Sequence, residues 1–99
     1  IIEGNNNFSS GGIFNGGTVY ITNTAISHNT ALGGGGLHNF GLVYLTDSTI
    51  SYNKAVTDEP DPNSWYGSGG GIYNQPAATL ILSNTEVSHN QAVGGIGVF

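Results

Sequence analysis

Six carboxylates, three histidines and one lysine carry most of the acid–base chemistry available to this chain. Glycoside hydrolysis by paired carboxylates needs two acids on opposite sides of one bond. Asp47 and Glu86 are the candidates for such a pair. A second group lies in the stretch TDEPDPNSWYGS, where Asp58, Glu59 and Asp61 are hard oxygen ligands. With backbone carbonyls they could hold calcium, although the spacing matches neither an EF-hand nor a glycine-rich calcium repeat. A solvated acidic loop is the plainer reading of them. Trp65 and Tyr66 follow at once and could stack on a sugar ring, or pack over the edge of the fold. Packing is the simpler role. The five residues from Asp58 to Tyr66 make the candidate ligand-binding loop.

Composition removes several partners. Lys54 is the only basic side chain, so the Lys/Arg footprint that nucleic acid requires is missing. Anionic membranes are poor partners for the same reason. The net charge of −5 is modest. There is no cysteine, which excludes a disulfide framework and thiolate metal ligands without fixing the compartment. No apolar run reaches membrane-spanning length, and no signal-peptide pattern follows Ile1.

The elements that must position these residues come from a repeat. Shifted by 24 residues, Ile13 meets Leu37, Asn15 meets Asn39, Tyr20 meets Tyr44, Ile26 meets Ile50 and Asn29 meets Asn53. The next copy follows after insertions of 11 residues and then two, so that Leu37–Asn39 meets Ile72–Asn74 and Ile50–Asn53 meets Val87–Asn90. Fixed-period self-similarity marks a stacked architecture. The copies divide the chain into one segment with a partial coil at 1–8, coils at 9–32, 33–56 and 67–93, a partial coil at 94–99, and an inserted loop at 57–66. Opening and closing within copies, with no polar capping sequence, leads us to expect a piece of a longer protein.

Each copy splits into three strand-like pieces, with apolar residues alternating along the middle one. They are Gly11–Asn15, Thr18–Thr22 and Ala25–Asn29, with equivalents in the later copies. The predicted fold is all-β: a right-handed parallel β-helix with three short strands per 24-residue coil and about four coils. The hand follows from the chirality of parallel crossovers. Val19/Val43/Leu80, Ile21/Leu45/Leu82, Ile26/Ile50/Val87 and Ile13/Leu37/Ile72 are the expected inward ladders.

Two polar ladders accompany them. Asn5, Asn29, Asn53 and Asn90 recur at the end of the third strand, and Asn15, Asn39 and Asn74 at the end of the first. Asn tolerates bent backbone, and its amide can bond to the Asn one coil away. A structural role is therefore expected for both sets. His28 and His89 share one repeat position with Tyr52 between them. Two coils put them roughly 9.6 Å apart, too far to share a zinc. His38 replaces Phe14 and Tyr73, which predicts an outward, permissive position. None of the histidines is assigned a catalytic role.

A 24-residue period also suits leucine-rich repeats, but the half that would need a helical turn reads GGGGLHNFG, which no helix tolerates. Gly35-Gly36-Leu37, Gly70-Gly71-Ile72 and Gly95-Ile96 resemble the GGA-hydrophobic half of the repeat in polymorphic outer-membrane proteins. Ile26-Ser27-His28-Asn29, Ile50-Ser51-Tyr52-Asn53 and Val87-Ser88-His89-Asn90 occupy the place of its F-x-x-N half, with Ile or Val for Phe. The wider group of secreted, pectate-lyase-like β-helix proteins is equally similar. The resemblance implies an extracellular or cell-surface location and an adhesive or structural role.

Function is expected to follow that shape. The leading reading is a non-enzymatic scaffold that associates with itself or with glycan, laterally or end to end into a fibre. It needs no cofactor beyond the calcium that the acidic loop could take. The alternative is a fragment of a β-helical polysaccharide lyase or glycoside hydrolase. Lyases of the resembling group use Arg or Lys as base, and here only Lys54 is available. An ice-binding face is a poor match, because Thr18-x-Tyr20-x-Thr22 becomes Leu42-x-Tyr44-x-Thr46. Asn7-Phe8-Ser9 forms a glycosylation sequon.

Overall fold

The computed structural model describes residues 1–5, 11–57 and 69–93. Among them every regular element is a β-strand. The first repeat contains β2 (Ile13–Asn15), β3 (Thr18–Thr22), β4 (Ala25–Ser27) and β5 (Thr30–Ala31), preceded by β1 (Ile2–Glu3). The second contains β6 (Leu37–Asn39), β7 (Leu42–Thr46), β8 (Thr49–Ser51) and β9 (Lys54–Val56). The third contains β10 (Ile72–Asn74), β11 (Thr79–Ser83), β12 (Glu86–Ser88) and β13 (Gln91–Val93).

All pairing is parallel and joins equivalent strands of successive repeats. The sheet orders are β10-β6-β2, β11-β7-β3, β1-β4-β8-β12 and β13-β9-β5. Registers follow the repeat: Val19 pairs with Val43 and Val43 with Leu80, while Ile26 pairs with Ile50 and Ile50 with Val87. Four strands per repeat, rather than three, is a correction. The extra strand (β5, β9, β13) is two or three residues long and points alanine inward, Ala31 and Ala55 both being buried. A methyl group gives little apolar alternation, so the stretch reads from sequence as a bend.

The core runs through the stack as columns. Leu37, Val43, Leu45 and Ile50 of the second repeat are fully buried, since both neighbouring repeats cover them. Fully burying such a side chain stabilises by about 1.5–3 kcal/mol, so neighbours, not single repeats, create the core. Ile13, Val19, Ile72 and Leu80 pack against it from the flanking repeats and remain partly exposed.

Glycine sets the closest approach between repeats. A Cβ on Gly36 would stand 2.6 Å from the Gly71 carbonyl oxygen and 2.8 Å from Asn53 Nδ2. One on Gly41 would stand 2.1 Å from the Gly17 carbonyl oxygen. Both positions are closed to any side chain. The two-residue insertion in the third repeat is absorbed after β10, where the Ala78 N–H donates to the Gln75 carbonyl at 2.9 Å.

Candidate functional site

Strand ends place the chemistry. Each β4-type strand is followed by a residue in the left-handed region: His28, Tyr52 and His89, at φ 56°, 55° and 55°. The bend after each β3-type strand does the same with Asn23, Asp47 and Asn84, at φ 51°, 49° and 47°. A left-handed residue with a side chain costs roughly 1–2 kcal/mol. Identical bends stack on one another, so the side chains form columns on the outside.

One column is aromatic. His28 stacks on Tyr52 with centroids 5.4 Å apart and planes 7° from parallel, and Tyr52 stacks on His89 at 4.9 Å and 12°. Tyr52 therefore stands between the two histidines. Tyr20 and Tyr44 form a second exposed stack, 4.7 Å apart and 4° from parallel. Sequence reasoning had the equivalent positions but not the ring-on-ring contact.

The other column brings Asp47 and Glu86 to one shallow groove. Ser48, Thr49, Asn84 and Thr85 complete its lining. Asp47 Oδ1 accepts a 2.6 Å bond from Asn84 Nδ2, and Glu86 Oε1 accepts one of 2.6 Å from Ser88 Oγ. Both acids are exposed. They share a groove, although Asp47 pairs by position with Asn84 and Glu86 pairs with Thr49. Beneath them, Ser48 Oγ donates to the Thr46 carbonyl at 2.8 Å and accepts the Thr24 N–H at 3.1 Å. The hydroxyls thus stitch repeats together.

The asparagines lie inside. Asn29, Asn39 and Asn53 are fully or almost fully buried, and Asn15 nearly so. Asn29 Nδ2 donates to Asn53 Oδ1 at 3.0 Å and Asn53 Nδ2 to Asn90 Oδ1 at 3.1 Å; Asn5 Nδ2 begins the series, donating to Asn29 Oδ1 at 2.9 Å. The second series runs Asn15 to Asn39 at 3.0 Å and Asn39 to Asn74 at 2.8 Å. Among the described residues no buried side-chain polar atom lacks a partner. These amides hold repeats in register, and those buried inside have their bonds satisfied there.

His38 corrects an expectation. It is fully buried, not outward and permissive. The rings of Phe14, Phe40 and Tyr73 surround it at 5.5, 4.7 and 5.1 Å. Gln75 Nε2 lies 2.9 Å from His38 Nε2. An amide nitrogen can only donate, so His38 Nε2 accepts and the ring proton sits on Nδ1. Burial pushes its pKa below the ordinary 6.5. The missed signal was the local density of aromatics, with Phe40 two residues away and Phe14 and Tyr73 one repeat away on either side.

Lys54 is exposed on β9, in register between Thr30 and Gln91. Asp58, Glu59, Asp61, Trp65 and Tyr66 lie outside the described residues, as do Asn7-Phe8-Ser9 and Gly95-Ile96. Among the described residues no group of three or more His, Asp or Glu is placed to hold a metal ion, and no helix is long and apolar enough to cross a membrane. Comparison with protein-family models, curated proteins and solved structures gives no match, so the site is read from its own geometry.

Proposed function

We propose that the four parallel sheets wrap one core as a right-handed parallel β-helix, and that this stack is an extracellular or cell-surface structural and adhesive scaffold. The observation that carries the reading is the continuous ladder Asn5–Asn29–Asn53–Asn90. It commits the most recurrent polar side chain of the repeat to holding repeats together. The right hand follows from the chirality of parallel crossovers. What is left outside is a repeated surface of Thr, Ser, Asn and Tyr with the single base Lys54, suited to protein or glycan and not to nucleic acid. The likeness of its Gly-Gly-hydrophobic and Ile-Ser-x-Asn elements to polymorphic outer-membrane repeats supports the location. Calcium at Asp58, Glu59 and Asp61 would add to the loop without altering this reading.

The test is to immobilise the folded chain and measure retention of neutral and acidic glycans and of matrix proteins, with and without calcium. The same glycans are assayed for newly released reducing ends or unsaturated products. Saturable retention without turnover is the expected result; a chain that retains nothing is not adhesive. One observation favours a second reading, a carbohydrate-active fragment: Asp47 and Glu86 line the same groove. Turnover that disappears in both Asp47→Asn and Glu86→Gln would establish it in place of the scaffold.

A further inference from the structure

The outer face of β3 and β7 carries two phenols in one register. Tyr20 pairs with Tyr44 in the parallel ladder, and the residues on either side, Val19 with Val43 and Ile21 with Leu45, turn into the core. The tyrosines therefore point outward, one repeat apart, at the ordinary strand spacing. Their ring centres are 4.7 Å apart and their planes 4° from parallel, so the carbon ortho to one hydroxyl lies alongside that of the other. Tyr20 is 71% exposed and Tyr44 half-buried, and solvent reaches both. In the third repeat Ile81 takes the position.

The other described tyrosines are placed differently. Tyr52 has an imidazole on each face, from His28 and His89, and Tyr73 meets His38 edge-on at 68°. Among the described residues Tyr20 and Tyr44 are the two phenols that stack on each other. The chain has neither Cys nor Met, the side chains that ordinarily take up oxidising equivalents. An oxidant that meets this protein is left with its tyrosines, its histidines and Trp65.

We infer that Tyr20 and Tyr44 form a dityrosine site, at which a one-electron oxidant, such as a haem peroxidase with hydrogen peroxide, joins two successive repeats covalently. Each phenol loses one electron and its hydroxyl proton and becomes a phenoxyl radical. The two odd electrons pair in a C–C bond between the carbons ortho to oxygen. Each of those carbons then releases its proton while its oxygen takes one up, and both rings regain aromaticity. The sum is a biphenol, two protons and two electrons; one hydrogen peroxide accepts them and leaves as two waters. Joining requires the rings to swing from face-to-face to edge-to-edge, a motion that exposed side chains make in picoseconds to nanoseconds, while the strands keep their spacing. The link closes a loop one repeat long, and does for a cysteine-free stack what a disulfide does elsewhere.

The test illuminates dilute native protein with a ruthenium photosensitiser and persulfate, which withdraw one electron at a time in buffer and in urea alike. Dityrosine fluorescence should appear in a species that keeps the monomer's size and has lost two hydrogen atoms by intact mass. Peptic digestion should yield one branched fragment joining the Tyr20 and Tyr44 segments. The linked protein should melt roughly 10 °C higher, the typical effect of a cross-link on a small domain. Tyr20→Phe and Tyr44→Phe should each lose the intrachain link, and Tyr52→Phe should keep it. In concentrated urea, where the two rings no longer share a register, little of the link should form. A link that forms equally in urea, survives in Tyr20→Phe, or maps to Tyr52 or Tyr73 would overturn the inference. So would a product made of intermolecular dimers alone. A protein that oxidises without a link while keeping its β-sheet circular dichroism overturns the site alone, and one with no β-sheet signal overturns the register beneath it as well.

Discussion

Asn53 Oδ1 accepts two bonds from Asn29, one from the backbone N–H at 3.1 Å and one from Nδ2 at 3.0 Å. Asn53 in turn passes its own N–H and Nδ2 to Asn90 and uses its second amide hydrogen on the Ile26 carbonyl at 3.0 Å. Both residues are buried. Asn53→Ala would leave the Asn29 N–H and Nδ2 without their acceptor in the core, a loss of about 1–3 kcal/mol for each group stranded. Asn53→Asp would be worse, because a carboxylate oxygen would face the Asn90 Oδ1 and the Ile26 carbonyl, acceptor against acceptor. The expected order in urea unfolding is wild type, then Asn53→Ala, then Asn53→Asp. An Asp variant as stable as wild type would contradict the ladder.

Much of this was legible because a parallel stack maps sequence period onto register. Asn29 and Asn53 are 24 apart, as are Asn15 and Asn39, and each pair bonds. The insertions of 11 and two reappear as separations of 35 for Asn39 with Asn74 and 37 for Asn53 with Asn90. What stayed hidden depends on contacts that cross repeats without an apolar signature. The strand built on Ala31 and Ala55 buries only methyl groups. His38 is polar by type and buried by its neighbours' rings. Asp47 and Glu86, which the sequence already offered as a pair, line one groove although they are not register partners.

The glycines divide by environment. Gly36→Ala would put a methyl group 2.6 Å from one carbonyl oxygen and 3.0 Å from Ile50 Cγ2, so the repeats must separate. Gly16 has nothing within 4 Å of the same position and no left-handed backbone. Gly16→Ala should be neutral or stabilising by up to about 1 kcal/mol through the unfolded chain. Gly36→Ala should cost about 1–3 kcal/mol, the usual toll of overpacking, or more. Thermal unfolding of the two variants side by side checks the contrast; equal melting temperatures would remove the close-packing argument.

Tyr52 combines a left-handed backbone with two ring stacks, on His28 and His89. Truncation to alanine loses both stacks and keeps the backbone strain. Truncation to glycine loses the stacks and relieves the strain. Tyr52→Gly should therefore be more stable than Tyr52→Ala by roughly 1 kcal/mol, the reverse of the order in an ordinary strand. Chemical denaturation of the pair measures it. Alanine above glycine would mean the bend tolerates a right-handed backbone.

His38 should make stability depend on pH. Burial lowers its pKa in the folded chain below 6.5, the value it regains on unfolding. Between the two values the unfolded chain binds more protons than the folded one, so stability rises with pH. The contribution is complete above 6.5 and is lost as pH falls from there through the folded value. Protonation also strikes the geometry: a proton on Nε2 would confront the Gln75 amide nitrogen at 2.9 Å, donor against donor. His38→Phe removes the titrating group while keeping a ring among Phe14, Phe40 and Tyr73. His28 and His89 remain in both proteins, so the difference between them isolates His38. Unfolding free energies measured from pH 8 to pH 5 should fall more steeply in wild type than in His38→Phe, the gap opening below 6.5. Parallel curves would mean that the imidazole is as accessible to protons in the folded stack as in the unfolded chain.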